Sequence, residues 1–242
     1  MKGLSKLTAH LNKFVDERKK GISITPAKRK EYADAIANCF YPCAQAILAG
    51  HFEVRINKLV RIIYPTAIEL YYHEEEKGGF KDPIMYHTDD RKRADYPDYF
   101  ILRGINSLPY FPIGSLNPHT SGVDVTFENP DKKYRASFLI REYRVKYESG
   151  IEIPVKNSTE IYDDLLVYGI PQDDDDRVEW CDGNALLQDQ IERIWRRNVP
   201  DYTEVSPGYW RKNDQIEGKD SFSSGGVKYV KCPFRWQFRV KK

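Results

Sequence analysis

The chain has 242 residues, enough for one large domain or two small ones with a real core. Its formal charge of +2 neither demands nor excludes a nucleic-acid partner, because a local basic face suffices for phosphate contacts. No apolar run reaches the roughly 18 residues of a membrane span, and the N-terminus lacks the apolar core and cleavage site of a signal peptide, so the expectation is a cytoplasmic protein with no membrane partner.

Residues 4–19 read as a charged, weakly amphipathic helix, and 1–24 as a helical extension before a domain over 25–242. Thr25-Pro26 starts a second helix, with Thr as N-cap and Pro at the first helical position. It runs through Ala33, Ile36, Cys39, Phe40, Ala44 and Ile47 and stops at Gly50; Pro42 is a candidate kink or break. Cys39 and Cys43 lie four residues apart on this helix, with Cys181 and Cys232 far away. That spacing matches no zinc motif and reads as ordinary reduced cysteines.

Strands follow. Phe52–Ile56 alternates cleanly, and 59–72 is long and apolar. The stretch 74–110 is polar and rich in Gly and Pro, and reads as a long excursion of the kind that often carries function. Gly122–Phe127 and 134–147 form a predicted hairpin through Asn129-Pro130-Asp131. Thr159–Tyr168 is a short predicted helix ending at Gly169, and Asp173–Asp176 an acidic turn. Asn184–Asn198 has Leu187, Ile191, Ile194 and Trp195 at helical spacing and predicts an amphipathic helix. The chain closes on a strand in which Phe234, Trp236, Phe238 and Val240 alternate with Arg235, Gln237, Arg239 and Lys241. Strands and helices intermix without regular βαβ units, so the predicted class is α+β: one domain, a mostly antiparallel or mixed curved sheet with flanking helices.

Glu69 stands where a strand wants an apolar residue. In the run 62–73, Ala67, Glu69 and Tyr71 point to one face and Ile68, Leu70 and Tyr72 to the other. A buried carboxylate is costly unless paired. The apolar run Ala136–Arg141 ends in a cation and supplies a candidate partner, Arg141. The pair is the best site candidate in the chain, and a structural ion pair is the alternative. His87, Asp89 and Asp90 could be read as a divalent-metal cluster, but the spacing matches no strong motif, and His73-Glu74-Glu75-Glu76 is not the zinc-protease pattern. No metal and no organic cofactor is expected.

The order of these pieces resembles the alkyladenine (3-methyladenine) DNA glycosylase family. The matching segments are Glu69-Leu70-Tyr71, Asp82 through His87, Phe111 through Leu116, Ala136 through Arg141, Leu165 through Ile170, and Pro233-Phe234-Arg235-Trp236. Each is weak alone; their collinearity over roughly 35–240 carries the resemblance. It implies hydrolysis of the N-glycosidic bond of a modified purine. Glu69 would act on the water and Arg141 would hold it, while Tyr71 and His87 hold the flipped base. A non-catalytic member of the fold, binding nucleic acid or a nucleoside, is the alternative.

The sequence departs from the family where a tyrosine before a glycine wedges into the duplex. Here Ser121 precedes Gly122, and His119 is the nearby residue that could substitute. Single strands or unpaired bases are therefore the expected substrates. Arg91, Arg93, Arg235 and Arg239 are the candidate contacts to the nucleic-acid backbone. On an edge strand, such cations also simply prevent aggregation. The expected partner is nucleic acid, DNA rather than RNA, bound by a monomer.

Overall fold

The computed structural model describes residues 29–56, 58–76, 78–82, 85, 87–155, 158–165, 177–184, 186–194, 196, 199–200, 202–206, 209–212, 221–224, 227–230 and 234–241, together with Asp16. The predicted N-terminal helix apart from Asp16, the cap at Thr25-Pro26, Gly169 and the acidic turn at 173–176 lie outside the described residues, as does Cys232.

The helix α1 (Arg29–Ala49) is one element that continues through Pro42, whose side chain is exposed. Its buried stripe is Ala33, Ile36, Ala37, Phe40, Cys43, Ala44 and Ile47, the 3.6-residue period read from the sequence. Gly50 follows its last residue, and only glycine fits there because Trp180 packs where a side chain would be: a Cβ would lie 2.2 Å from the indole. Two more short helices, α2 (Asp89–Asp95) and α3 (Tyr99–Arg103), sit inside the polar excursion, and α4 (Ile161–Leu165) comes later.

The strands are β1 (His51–Ile56), β2 (Leu59–Glu74), β3 (Leu116–His119), β4 (Gly122–Thr126), β5 (Tyr134–Tyr147), β6 (Glu152–Val155), β7 (Arg177–Cys181), β8 (Ile191–Ile194), β9 (Val199–Pro200), β10 (Tyr202–Ser206), β11 (Tyr209–Lys212), β12 (Ser221–Ser224), β13 (Val227–Val230) and β14 (Gln237–Val240). Nine of them form one curled antiparallel sheet, half of a barrel, ordered β3-β4-β5-β2-β1-β7, with β14 between β2 and β8, and β6 on β5. β10 and β11 form one small sheet; β9, β12 and β13 form another. The single α+β domain expected from the sequence is the architecture found.

Two sequence expectations are corrected. The described residues of 184–198 do not form the expected amphipathic helix. Gln188–Gln190 is a single 3-10 turn and Ile191–Ile194 is a strand paired with β14. Ladder bonds to β14 outweigh a helical spacing too short to be stable alone. The basic face of the last strand is not an edge, because β14 has a neighbour on each side.

The two sheet faces differ in kind. Ile68, Leu70 and Tyr72 of β2 and Ala136, Phe138 and Ile140 of β5 pack under α1 with Phe40 and Trp236. The Trp236 indole N–H donates to Ala33 O at 2.8 Å. Deleting the fully buried Phe40 ring would cost about 3–5 kcal/mol. The opposite face carries Glu69, Tyr71, His73, Arg135, Ser137, Asp124 and Glu128, and the 74–110 excursion contributes to covering it. Register shifts on β2 between Pro65 and Ile68 switch the core-facing parity from Ile63 to Ile68. That bulge is what turns Glu69 away from the apolar layer.

Candidate functional site

The Glu69–Arg141 pair exists. Arg141 Nη2 donates to Glu69 Oε1 at 2.7 Å and to the Tyr71 hydroxyl at 3.0 Å, and the same hydroxyl donates to Glu69 Oε1 at 2.7 Å. β2 and β5 make this contact because Glu69 pairs with Leu139, which places Arg141 diagonally across on the same face. A second cation completes the group: Arg196 Nε lies 3.5 Å from Glu69 Oε1, while its Nη2 donates to Asp82 at 3.0 Å. Its guanidinium also covers the Tyr71 ring at 4.1 Å. Burial pushes the Glu69 pKa up, but the charges of Arg141 and Arg196 more than offset it and hold the carboxyl below its ordinary value.

A pocket of about 50 Å³ opens beside Glu69 and Arg141, and neither is among the residues that line it. Tyr71, His87, His119 and Ser121 all line it, together with Asn117, Asp124, Thr126, Glu128 and Ser137. Four candidate binding residues from three segments thus meet in one place. Tyr71 links the pocket to the buried pair.

The chemistry of the wall is legible group by group. The His87 Nε2 lies 2.9 Å from Pro109 O, so it carries the proton and leaves Nδ1 as an acceptor. Its ring packs on Phe111, centroids 4.3 Å apart. Burial pushes the His87 pKa down to about 4, so the ring is neutral near pH 7. His119 Nδ1 accepts the Ser121 backbone N–H at 3.3 Å, which puts its own proton on Nε2, 3.2 Å from Asp124 Oδ1. The Ser137 hydroxyl is buried, with no hydrogen-bond partner among the described residues. Glu128 Oε2 accepts from Phe111 N–H at 2.7 Å and from Arg135 Nη1 at 3.1 Å. Burial nevertheless pushes the Glu128 pKa up to about 7.

Arg135 explains why the Glu128 charge is poorly compensated. This fully buried guanidinium also contacts Glu75 and Asp89, and it donates to the carbonyls of Leu108 and Pro109. Three carboxylates share one cation. The Tyr110 ring lies 3.9 Å from it. Arg135 pins both ends of the excursion to β5. Sequence reasoning missed Arg135, Arg196, Asp124 and Glu128; for Glu128, the signal was a carboxylate continuing the polar face of β4.

His73 Nε2, Glu75 Oε2 and Asp90 Oδ2 lie within 4.8 Å of one another, an arrangement that could suit a cation. The other ring nitrogen argues against it. His73 Nδ1 accepts the Asp82 backbone N–H at 3.1 Å, so Nε2 carries the proton of the neutral ring and faces the two carboxylates. Lys81 Nζ, 2.8 Å from the same Asp90 oxygen, already supplies positive charge. Burial lowers the His73 pKa, and the bonds to Asp90 and Glu75 more than reverse this.

Three of the four expected backbone-contact cations have partners within the protein. Arg93 donates to Asn106 O at 2.8 Å, Arg239 pairs with Glu142 at 2.9 Å, and Arg235 donates to Arg193 O. Arg91 lies on α2. Among the described residues, Cys39, Cys43 and Cys181 form no disulfide, and no helix is long and apolar enough to cross a membrane. No family model, curated protein or solved structure matches this chain.

Proposed function

We propose that the pocket receives the planar, hydrogen-bonding ring of a nucleobase, presented on a nucleic-acid strand or as a nucleoside. The supporting observation is the convergence of Tyr71, His87, His119 and Ser121 around one small pocket. Aromatic faces tolerate many bases, while His87 Nδ1, Asp124 and the Ser137 hydroxyl offer acceptors and a donor for one edge. The pocket holds a ring edge, so the sugar would stay at the mouth. The choice of DNA over RNA rests on the glycosylase resemblance alone.

A second reading, hydrolysis of the N-glycosidic bond, is favoured by Glu128. It lines the pocket and holds its proton up to about pH 7, as a general acid must. Glu128 would protonate the departing ring nitrogen while water adds to the sugar carbon, and the proton of that water would return the carboxylate to its acid form. Glu69, buried and held by two cations, would fix Tyr71 rather than activate water.

The test is binding of single-stranded and matched duplex oligonucleotides, and of nucleosides, at fixed salt. His87→Ala should weaken single-strand and nucleoside binding about tenfold, the scale of one lost stacking contact. Single strands should bind more tightly than duplex, because Ser121 is too small to fill the gap left by an unstacked base. Ser121→Tyr should narrow that difference. Release of free base from lesion-bearing strands, abolished in Glu128→Gln, would add the hydrolytic activity. Tight duplex binding indifferent to His87→Ala and His119→Ala would sink the proposal.

A further inference from the structure

A second cleft lies away from this pocket, where β2 changes neighbours. β1 pairs with β2 from Leu59 to Ile63, and β14 pairs with it from Ala67 to Glu69. Residues 64–66 lie between these two pairings, beside the bulge at Pro65–Ala67. Proline has no N–H to offer a ladder there. The two neighbouring strands part, and the end of α1 and strand β6 border the gap.

The resulting space is about 520 Å³, roughly ten times that of the first pocket, and within the usual range for small-molecule sites. Leu48, Pro65, Val155, Leu186 and Val240 give it an apolar wall. Tyr64 adds an aromatic face, with the Arg144 guanidinium 5.1 Å from its ring centre. The charges on the wall are unbalanced: Arg144, Arg239 and Lys241 against Glu142. Glu142 is taken up by Arg239 at 2.9 Å, and Arg144 is paired outside the lining, with Glu152 at 2.7 Å. Lys241 is exposed, and among the described residues its side chain has no ion pair or hydrogen bond.

We propose that this cleft binds a small apolar carboxylate, its hydrocarbon part against Leu48, Val155 and Leu186 and its carboxylate at Lys241, within the field of Arg239 and Arg144. The apolar wall asks for hydrocarbon, and the uncompensated positive rim asks for one negative charge. A neutral molecule of the same shape satisfies only the first demand, and a cation is repelled by the second. This site is independent of the base-binding reading.

Decanoate below its micellar concentration is the probe, with decanol as the neutral control, titrated calorimetrically into the whole chain. Decanoate should bind at one site about fivefold more tightly than decanol, the value of one partly exposed ion pair near 1 kcal/mol. Lys241→Gln, an exposed change that leaves the fold alone, should remove that advantage and leave decanol unaffected. Leu186→Trp should fill the cleft and abolish both. Amide shift mapping of the wild type serves if Leu186→Trp does not fold: shifts at Val155 and Val240 support the site, and shifts confined elsewhere overturn it. Absence of saturable decanoate binding, equal affinity for decanoate and decanol, or a decanoate preference that survives Lys241→Gln would each overturn it as well.

Discussion

Glu69 and Arg141 meet at 2.7 Å across neighbouring strands, yet neither lines the pocket that opens next to them. Tyr71, hydrogen-bonded to both, does. The buried pair therefore acts through Tyr71, fixing the position of a ring that forms part of the pocket wall.

Removing the Glu69 charge should destabilise the fold. Glu69→Gln leaves Arg141 and Arg196 buried beside a neutral amide, and breaking a buried pair costs about 3–5 kcal/mol. Urea unfolding of the variant measures this. The sign of the pH dependence follows from the depressed pKa. The carboxylate's contribution is present above the unfolded-state value and is lost as pH falls through the lower folded-state value. The gap between wild type and Glu69→Gln should therefore shrink in strong acid. A constant gap down to the acid transition would contradict the assignment.

Glu128 should act in the opposite sense. Its folded-state pKa is raised from 4.5 to about 7, so the folded state holds the extra proton between those values. Stability conferred by this group therefore falls as pH rises through that window, at up to about 1.4 kcal/mol per pH unit. Glu128→Gln should flatten the fall and leave the variant the more stable partner in mild alkali. Paired denaturation curves across the window decide this, and parallel curves would refute it.

Arg135→Lys should not be conservative. Lysine cannot reproduce a fork that reaches Glu75, Asp89, Glu128 and two carbonyls at once. A loss of about 3 kcal/mol or more is expected, with early proteolytic cleavage in 74–110 as the excursion loosens from β5. Unchanged protease resistance would show that other contacts hold that segment.

Gly122→Ala should damage the turn that carries His119 and Ser121. Gly122 has φ +137°, a conformation that L residues rarely adopt, and an added Cβ would lie 3.0 Å from Ser158 O. Strain on the order of 1–3 kcal/mol follows. Thermal unfolding measures the stability loss, and the His119 ring resonances should shift if the turn moves. A variant as stable as wild type, with those resonances unmoved, would show that the turn tolerates the side chain.

Local pattern in the sequence determined much of this. The alternation in β1, the apolar run of β2, the turn chemistry between β4 and β5 and the buried stripe of α1 each depend on neighbours a few residues away, so each was legible. Glu69 was legible as a site because a carboxylate in an apolar strand demands a partner, and Arg141 was the cation that ended the other apolar run. The tertiary structure decided the rest. Ile191–Ile194 became a strand because β14, some forty residues later, offered it a ladder. The pocket left Glu69 outside because Arg196, from another segment, joined Arg141 in enclosing it. Arg135 gained its partners from an excursion whose polar sequence has no period to read, and the cleft at Pro65 exists because two strands part there. Such features depend on which distant segments meet, and local propensity and spacing carry no record of that.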